Sequence, residues 1–197
     1  MIRSIFTNSF YSLVKTPNKE DIFKALKTLK VDKDESEKIK WNKNCEVEVE
    51  ILYRDEFAQL LIPALEIFLQ ELGVKEDMPL NLLSVWRNTY QKGGFQELHD
   101  HIGADEEECH LSGCFFLNDF HPDGGKFYFQ NRYSSELGLV WKRFMKTSPA
   151  LHGPYYWFPE YKAGDIIFFP SYMFHGVTPH KLENPRTTIS FNMKFVI

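Results

Sequence analysis

From Pro79 onward the chain is a succession of short apolar and aromatic runs, NLLSVWRNTY, GGFQELHDH, HLSGCFFLND, GGKFYFQN, GPYYWFP, GDIIFFPS and RTTISFNMKFV, set apart by Gly, Pro, Asn and Asp. Runs of this length, rich in β-branched and aromatic residues and bounded by turn formers, predict strands. Seven or eight of them at this spacing fit a β-sandwich or barrel and not alternating βαβ units. Gly93 and Gly94 turn the chain into the GGFQELHDH strand, and Gly124 and Gly125 fit a hairpin turn with no chemical role.

The first 79 residues have a different texture. RDEFAQLLIPALEIFLQELG places Phe57, Leu60, Leu61, Ala64, Leu65, Phe68 and Leu72 at spacings of three and four, with Gly73 as a stop. This predicts an amphipathic helix with a kink at Pro63. Before it, residues 1–15 read as a short extended segment. TPNKEDIFKALKTLKVDKDESEKIKW has helical propensity only in its middle, its charges forming a solvated face. The expected organisation is one domain over 1–197, with 1–79 as helical and extended support and 80–197 as the β core. NRYSSELGLVWKRFMKTSPA (131–150) shows no pattern and is assigned neither strand nor helix.

Composition narrows the function classes. Lys and Arg number 23 against 27 Asp and Glu, a formal charge of −4 without a basic block, which disfavours capture of nucleic acid or anionic lipid. No apolar run approaches the ~20 residues that cross a bilayer, and the N-terminus lacks a secretory signal pattern. Cys45, Cys109 and Cys114 are odd in number and show no CxxC spacing. A reducing cytoplasm is the expected compartment.

All seven histidines fall between positions 99 and 180. In a strand, His99 and His101 project from one face and Asp100 from the other. His175 follows the GDIIFFPS strand, and an antiparallel sandwich can bring distant strand ends together. Two imidazoles from one strand and a third from another form a facial ligand set with open positions for small molecules. His110, His121, His152 and His180 are expected to be surface or satisfied core residues.

Eleven residues after His175, Arg186 opens the last strand, where period two puts Arg186, Thr188, Ser190 and Asn192 on one face and Thr187, Ile189, Phe191 and Met193 on the other. Arg is shaped to hold a carboxylate through two parallel hydrogen bonds, with a rim ion pair as the plain alternative. Ser84, Trp86, Asn88 and Tyr90 share a second polar face, suited to a small polar ligand or to a structural network. Phe115, Phe169, Tyr156 and Trp157 can line a pocket, although core packing accounts for most such aromatics.

Taken in order, WRNTYQKGGFQELHDH, LSGCFFLND, DGGKFYF, AGDIIFFPSYMFHGVTPH and NPRTTISFN resemble the Fe(II)- and 2-oxoglutarate-dependent oxygenases. The resemblance covers about residues 80–197 and is closest to the prolyl-4-hydroxylase-like branch and its members in marine bacteriophages and bacteria. It implies a double-stranded β-helix, a cupin-like jelly roll, with Fe(II) at its open end and 2-oxoglutarate as cosubstrate. In the family a His-x-Asp pair and a distal His hold the metal, and a basic residue about ten positions later holds the far carboxylate. Carried over, His99 and His175 are ligands and Arg186 the anchor, with Tyr90, Ser190, Thr188 and Asn88 as helpers. The carboxylate position is His101 here, with Asp100 the lesser alternative through a bulge. The implied reaction oxidises 2-oxoglutarate to succinate and CO2 and hydroxylates a prime substrate that the motifs do not specify, in the cytoplasm, or the host's cytoplasm for a phage-borne chain. A three-histidine cupin-type dioxygenase without 2-oxoglutarate and a non-catalytic jelly-roll binding protein are the competing readings.

Overall fold

Period two in RTTISFNMKFV builds the central strand of the molecule. In the computed structural model, which describes residues 9–38, 45–74, 79–103, 108–131 and 156–196, this strand is β11 (Arg186–Phe195). It is hydrogen-bonded on one edge to β4 (Leu80–Tyr90) and on the other to β6 (Leu111–Phe116). β1 (Ser12–Lys15), β2 (Val31–Asp32), β3 (Val47–Leu52) and β9 (Asp165–Pro170) complete a seven-stranded sheet of order β1-β9-β6-β11-β4-β3-β2. A four-stranded sheet of order β5-β10-β7-β8 contains β5 (Gln96–His99), β7 (Phe127–Gln130), β8 (Tyr156–Trp157) and β10 (His175–Val177). The neighbouring strands of both sheets run antiparallel.

The large sheet is covered on both faces, which is why all six residues of β6 are buried. On the outer face lies α3 (Arg54–Leu72), which runs without a break through Pro63 and ends at Gly73, φ 68°. Gly73 N–H bonds to the Gln70 carbonyl and Val74 N–H to the Leu69 carbonyl, a glycine stop of the Schellman kind. Phe57, Leu61, Ala64 and Phe68 of α3 join Val85, Leu111, Phe115, Ile166, Phe168, Ile189 and Phe191 of the sheet in one apolar core. Phe68 stacks on Phe168 with centroids 4.7 Å apart. On the inner face Cys114, Phe116, Ile167 and Phe169 meet Phe127, Phe129 and Val177 of the small sheet.

Several local expectations are corrected. The described part of the charged stretch, 16–38, forms two short helices, α1 (Lys19–Ala25) and α2 (Lys33–Lys38), with β2 between them. Burial of Ile22 anchors the first, and Asp32 Oδ1 accepts the Glu35 N–H at the start of the second. Val47, Val49 and Ile51 alternate with Glu48 and Glu50 in β3, which pairs with β4 inside the large sheet. His175 follows the GDIIFFPS strand, β9, as expected, and itself opens β10, opposite His99. Phe115 belongs to the α3 side of the sheet, and Tyr156 and Trp157 are exposed. The unassigned 131–150 stretch lies, beyond Asn131, outside the described residues, as does His152.

Candidate active site

The space between the sheets opens into a pocket whose walls come from both. β4 contributes Trp86, Asn88 and Tyr90, β11 contributes Arg186, Thr188 and Ser190, and the three histidines lie alongside. β5 ends at His99, and the carboxylate of Asp100 accepts the Ile102 N–H, turning the chain. His101 therefore sits beyond the strand, with its backbone N–H on the Ser171 carbonyl. Strand alternation therefore does not set its direction as expected, yet its ring still stacks beside His99 at 5.2 Å. His175 lies 4.3 Å from the His99 ring and 4.9 Å from the His101 ring. One potential donor atom from each of the three falls within 4.8 Å of the others. Asp100 is not part of that cluster.

Each ring is held through Nδ1. His99 Nδ1–H donates to the Glu97 carbonyl and His175 Nδ1–H to the Met173 carbonyl, both at 2.8 Å. His101 Nδ1 is 2.6 Å from Asn192 Oδ1 and 2.8 Å from Ser112 Oγ. Burial holds all three imidazoles below the usual histidine range. His101 is pushed down to about 4 by burial and by His99, and His175 lies well below 6.5 by burial and by its two neighbours. Three neutral imidazoles converging on one point are a donor set suited to a divalent transition metal.

At the other end of the pocket Arg186 is 5% exposed. Its Nε–H reaches Tyr161 Oη at 3.4 Å, and its guanidinium carbon lies 5.0 Å over the Tyr90 ring. Nη1 and Nη2 have no hydrogen-bond partner, and neither does Asn88 Oδ1. Asn88 Nδ2 donates to Ser190 Oγ at 3.1 Å, and Tyr90 Oη to Gln96 Oε1 at 3.3 Å. Phe169, 4.7 Å from the His175 ring, and Phe127, 5.5 Å from it, supply the apolar wall. Gly125 packs on the Arg186 stem, where an added Cβ would lie 3.2 Å from Arg186 Cδ. Tyr161, Gln96, Ser112 and the contact of Asn192 with His101 are not signalled by any local sequence pattern. His180 is a satisfied buried residue, accepting from Gly125 N–H and donating to the Asn184 carbonyl.

Residues 84–192, more than half of the chain, match the family model described as "Putative 2OG-Fe(II) oxygenase", and the protein belongs to this family. It is a 2-oxoglutarate-dependent oxygenase that takes Fe(II) as its metal. The fold is similar to that of HygX from Streptomyces hygroscopicus, solved with nickel and 2-oxoglutarate bound, with a TM-score of 0.61 and 15% identity over 94% of this chain and 83% of that one. It is also similar to the α-ketoglutarate-dependent epimerase SnoN of nogalamycin biosynthesis, with a TM-score of 0.65 and 14% identity over 95% and 78%. A prolyl-4-hydroxylase from Pseudomonas putida gives 0.55 and 15% over 93% and 91%. At these identities the likeness establishes the fold, a double-stranded β-helix jelly roll. No curated protein sequence matches the chain significantly. Among the described residues, no helix is long and apolar enough to cross a membrane.

Proposed function

We propose that the protein is an oxygenase of the hydroxylase type in which His99, His101 and His175 hold Fe(II) and Arg186 receives the far carboxylate of 2-oxoglutarate. Tyr90, Asn88, Thr188 and Ser190 surround that carboxylate. The observation that carries the reading is the Arg186 guanidinium, whose two Nη atoms are buried without partners in the pocket that the three histidines line. A buried unpaired charge costs several kcal/mol, and a carboxylate answers it with two charge-assisted hydrogen bonds. A dioxygenase that does not use 2-oxoglutarate has no need of this group.

Bound iron supplies the oxidative chemistry that couples loss of CO2 from 2-oxoglutarate to hydroxylation of the substrate. The chain's own residues do the rest. The three imidazoles present lone pairs without adding negative charge, so the metal's two positive charges stay available to attract a dianion. Arg186 fixes the orientation of that dianion, and the Tyr90 ring lies beneath the guanidinium. Phe127, Phe169 and Val177 keep water from the pocket, which strengthens each polar contact inside it. The ordered motifs support placement in the prolyl-4-hydroxylase-like branch, among marine bacterial and phage members. The three free, buried cysteines agree with a reducing cytoplasm, and residues 1–197 are read as one oxygenase domain.

The test is anaerobic addition of Fe(II) and 2-oxoglutarate, followed by admission of air. The expected results are a weak visible charge-transfer band and then succinate. Absence of both overturns the reading.

A further inference from the structure

We propose that Asn192, braced by Ser112, is the positioning residue that makes His101 a metal ligand. The inference rests on the three-histidine reading and deepens it. His99 and His175 are held alike, each donating Nδ1–H to the backbone carbonyl two residues before it. A backbone carbonyl can only accept, so both rings carry hydrogen on Nδ1 and keep the Nε2 lone pair. His101 depends instead on two buried side chains of the large sheet, Asn192 on β11 and Ser112 on β6.

An amide, unlike a carbonyl, can face a ring with its oxygen or with its nitrogen. With the nitrogen facing Nδ1, the ring's hydrogen would move to Nε2 and the third lone pair would be lost. In the structure the amide oxygen faces the shared site: the Ser112 hydroxyl donates to Asn192 Oδ1 at 2.9 Å, and the same oxygen accepts from His101 Nδ1–H at 2.6 Å. Residues 112 and 192 are also direct partners in the β6–β11 register, so the sheet itself keeps them together. Asn192 thus does for His101 what backbone does for the other two ligands. Being neutral, it leaves the charge of the centre unchanged.

Imidazole ¹H–¹⁵N correlation spectra of the metal-free wild-type protein are expected to show His101 protonated at Nδ1 and bare at Nε2. The opposite tautomer overturns the proposal, and this measurement needs no variant to fold. Anaerobic Co(II) titration against a competing chelator supplies a second readout. Asn192→Leu is expected to bind Co(II) on the order of 10- to 100-fold more weakly, while Asn192→Asp, which retains the acceptor, binds within about threefold of wild type or more tightly. An Asn192→Leu affinity within about threefold of wild type, or an equal loss in both variants, overturns the inference. His101→Ala separates the two levels. If it binds Co(II) as wild type does, the three-histidine reading fails and the role of Asn192 with it; if it weakens binding while Asn192→Leu does not, only the role of Asn192 fails.

Discussion

Arg186 and Tyr90 stand directly opposite each other on β11 and β4, and the guanidinium of one lies 5.0 Å over the ring of the other. A desolvated cation on an aromatic face is worth about 2 kcal/mol, but the contact satisfies none of the guanidinium's outer hydrogens. Removing that cation should act on the dicarboxylate and not on the metal. Arg186→Ala is expected to weaken 2-oxoglutarate binding on the order of 100-fold, about 2.7 kcal/mol, with metal affinity unchanged. Parallel anaerobic titrations with metal and with cosubstrate measure both; equal losses would assign Arg186 a structural role.

His101→Asp tests the residue at which this chain departs from the His-x-Asp pattern. An aspartate there is expected to retain metal and to keep or raise succinate production, since it replaces a neutral donor with an anionic one. Loss of metal binding in this variant, with the fold intact by circular dichroism, would show that an aspartate cannot take the place of the imidazole at position 101.

The packing of α3 on the large sheet makes a separate prediction. Phe68 is fully buried and stacks on Phe168. Phe68→Ala should lower unfolding stability by about 3–5 kcal/mol in urea titrations, through lost burial and the cavity left behind. A loss below about 1 kcal/mol would mean that the helix contributes little to the core.

Gly113 is required by space and not by backbone angle. A Cβ there would lie 2.3 Å from Phe191 Cζ and 2.9 Å from the Ile167 carbonyl. Gly113→Ala should therefore destabilise by about 1–3 kcal/mol, and Phe191→Leu in the same chain should recover part of it by opening room. Thermal melts of the single and double variants read the difference.

How much of this was legible in the sequence follows from the range of each signal. β11 alternates cleanly over ten residues, so the shared face of Arg186, Thr188, Ser190 and Asn192 could be read from periodicity alone. β10 has three residues, too few to alternate, so the strand that His175 opens leaves no periodic signal. β3 carries a period-two signal, Val47, Val49 and Ile51 against Glu48 and Glu50, although its glutamates make it resemble the charged stretch that precedes it. The bond between His101 and Asn192 spans 91 positions, and that between Ser112 and Asn192 spans 80. No local pattern reports such a pair; only the register of β6 against β11 does. Tyr161, which lies flat on Phe116 and meets Arg186 Nε, comes from outside any strand and was equally hidden.

The placement of Arg186 and Asn192 on one strand gives the pocket a built-in parity. They are six residues apart, and between them β11 keeps an unshifted register with β4 and, from Thr188, with β6. In a strand that keeps its pairing, removing one residue between them would turn either Arg186 from the pocket or Asn192 from His101, while removing two would keep both faces but bring the residues about 7 Å closer along the strand. The distance over which the site can reach is thus counted in whole pairs of residues.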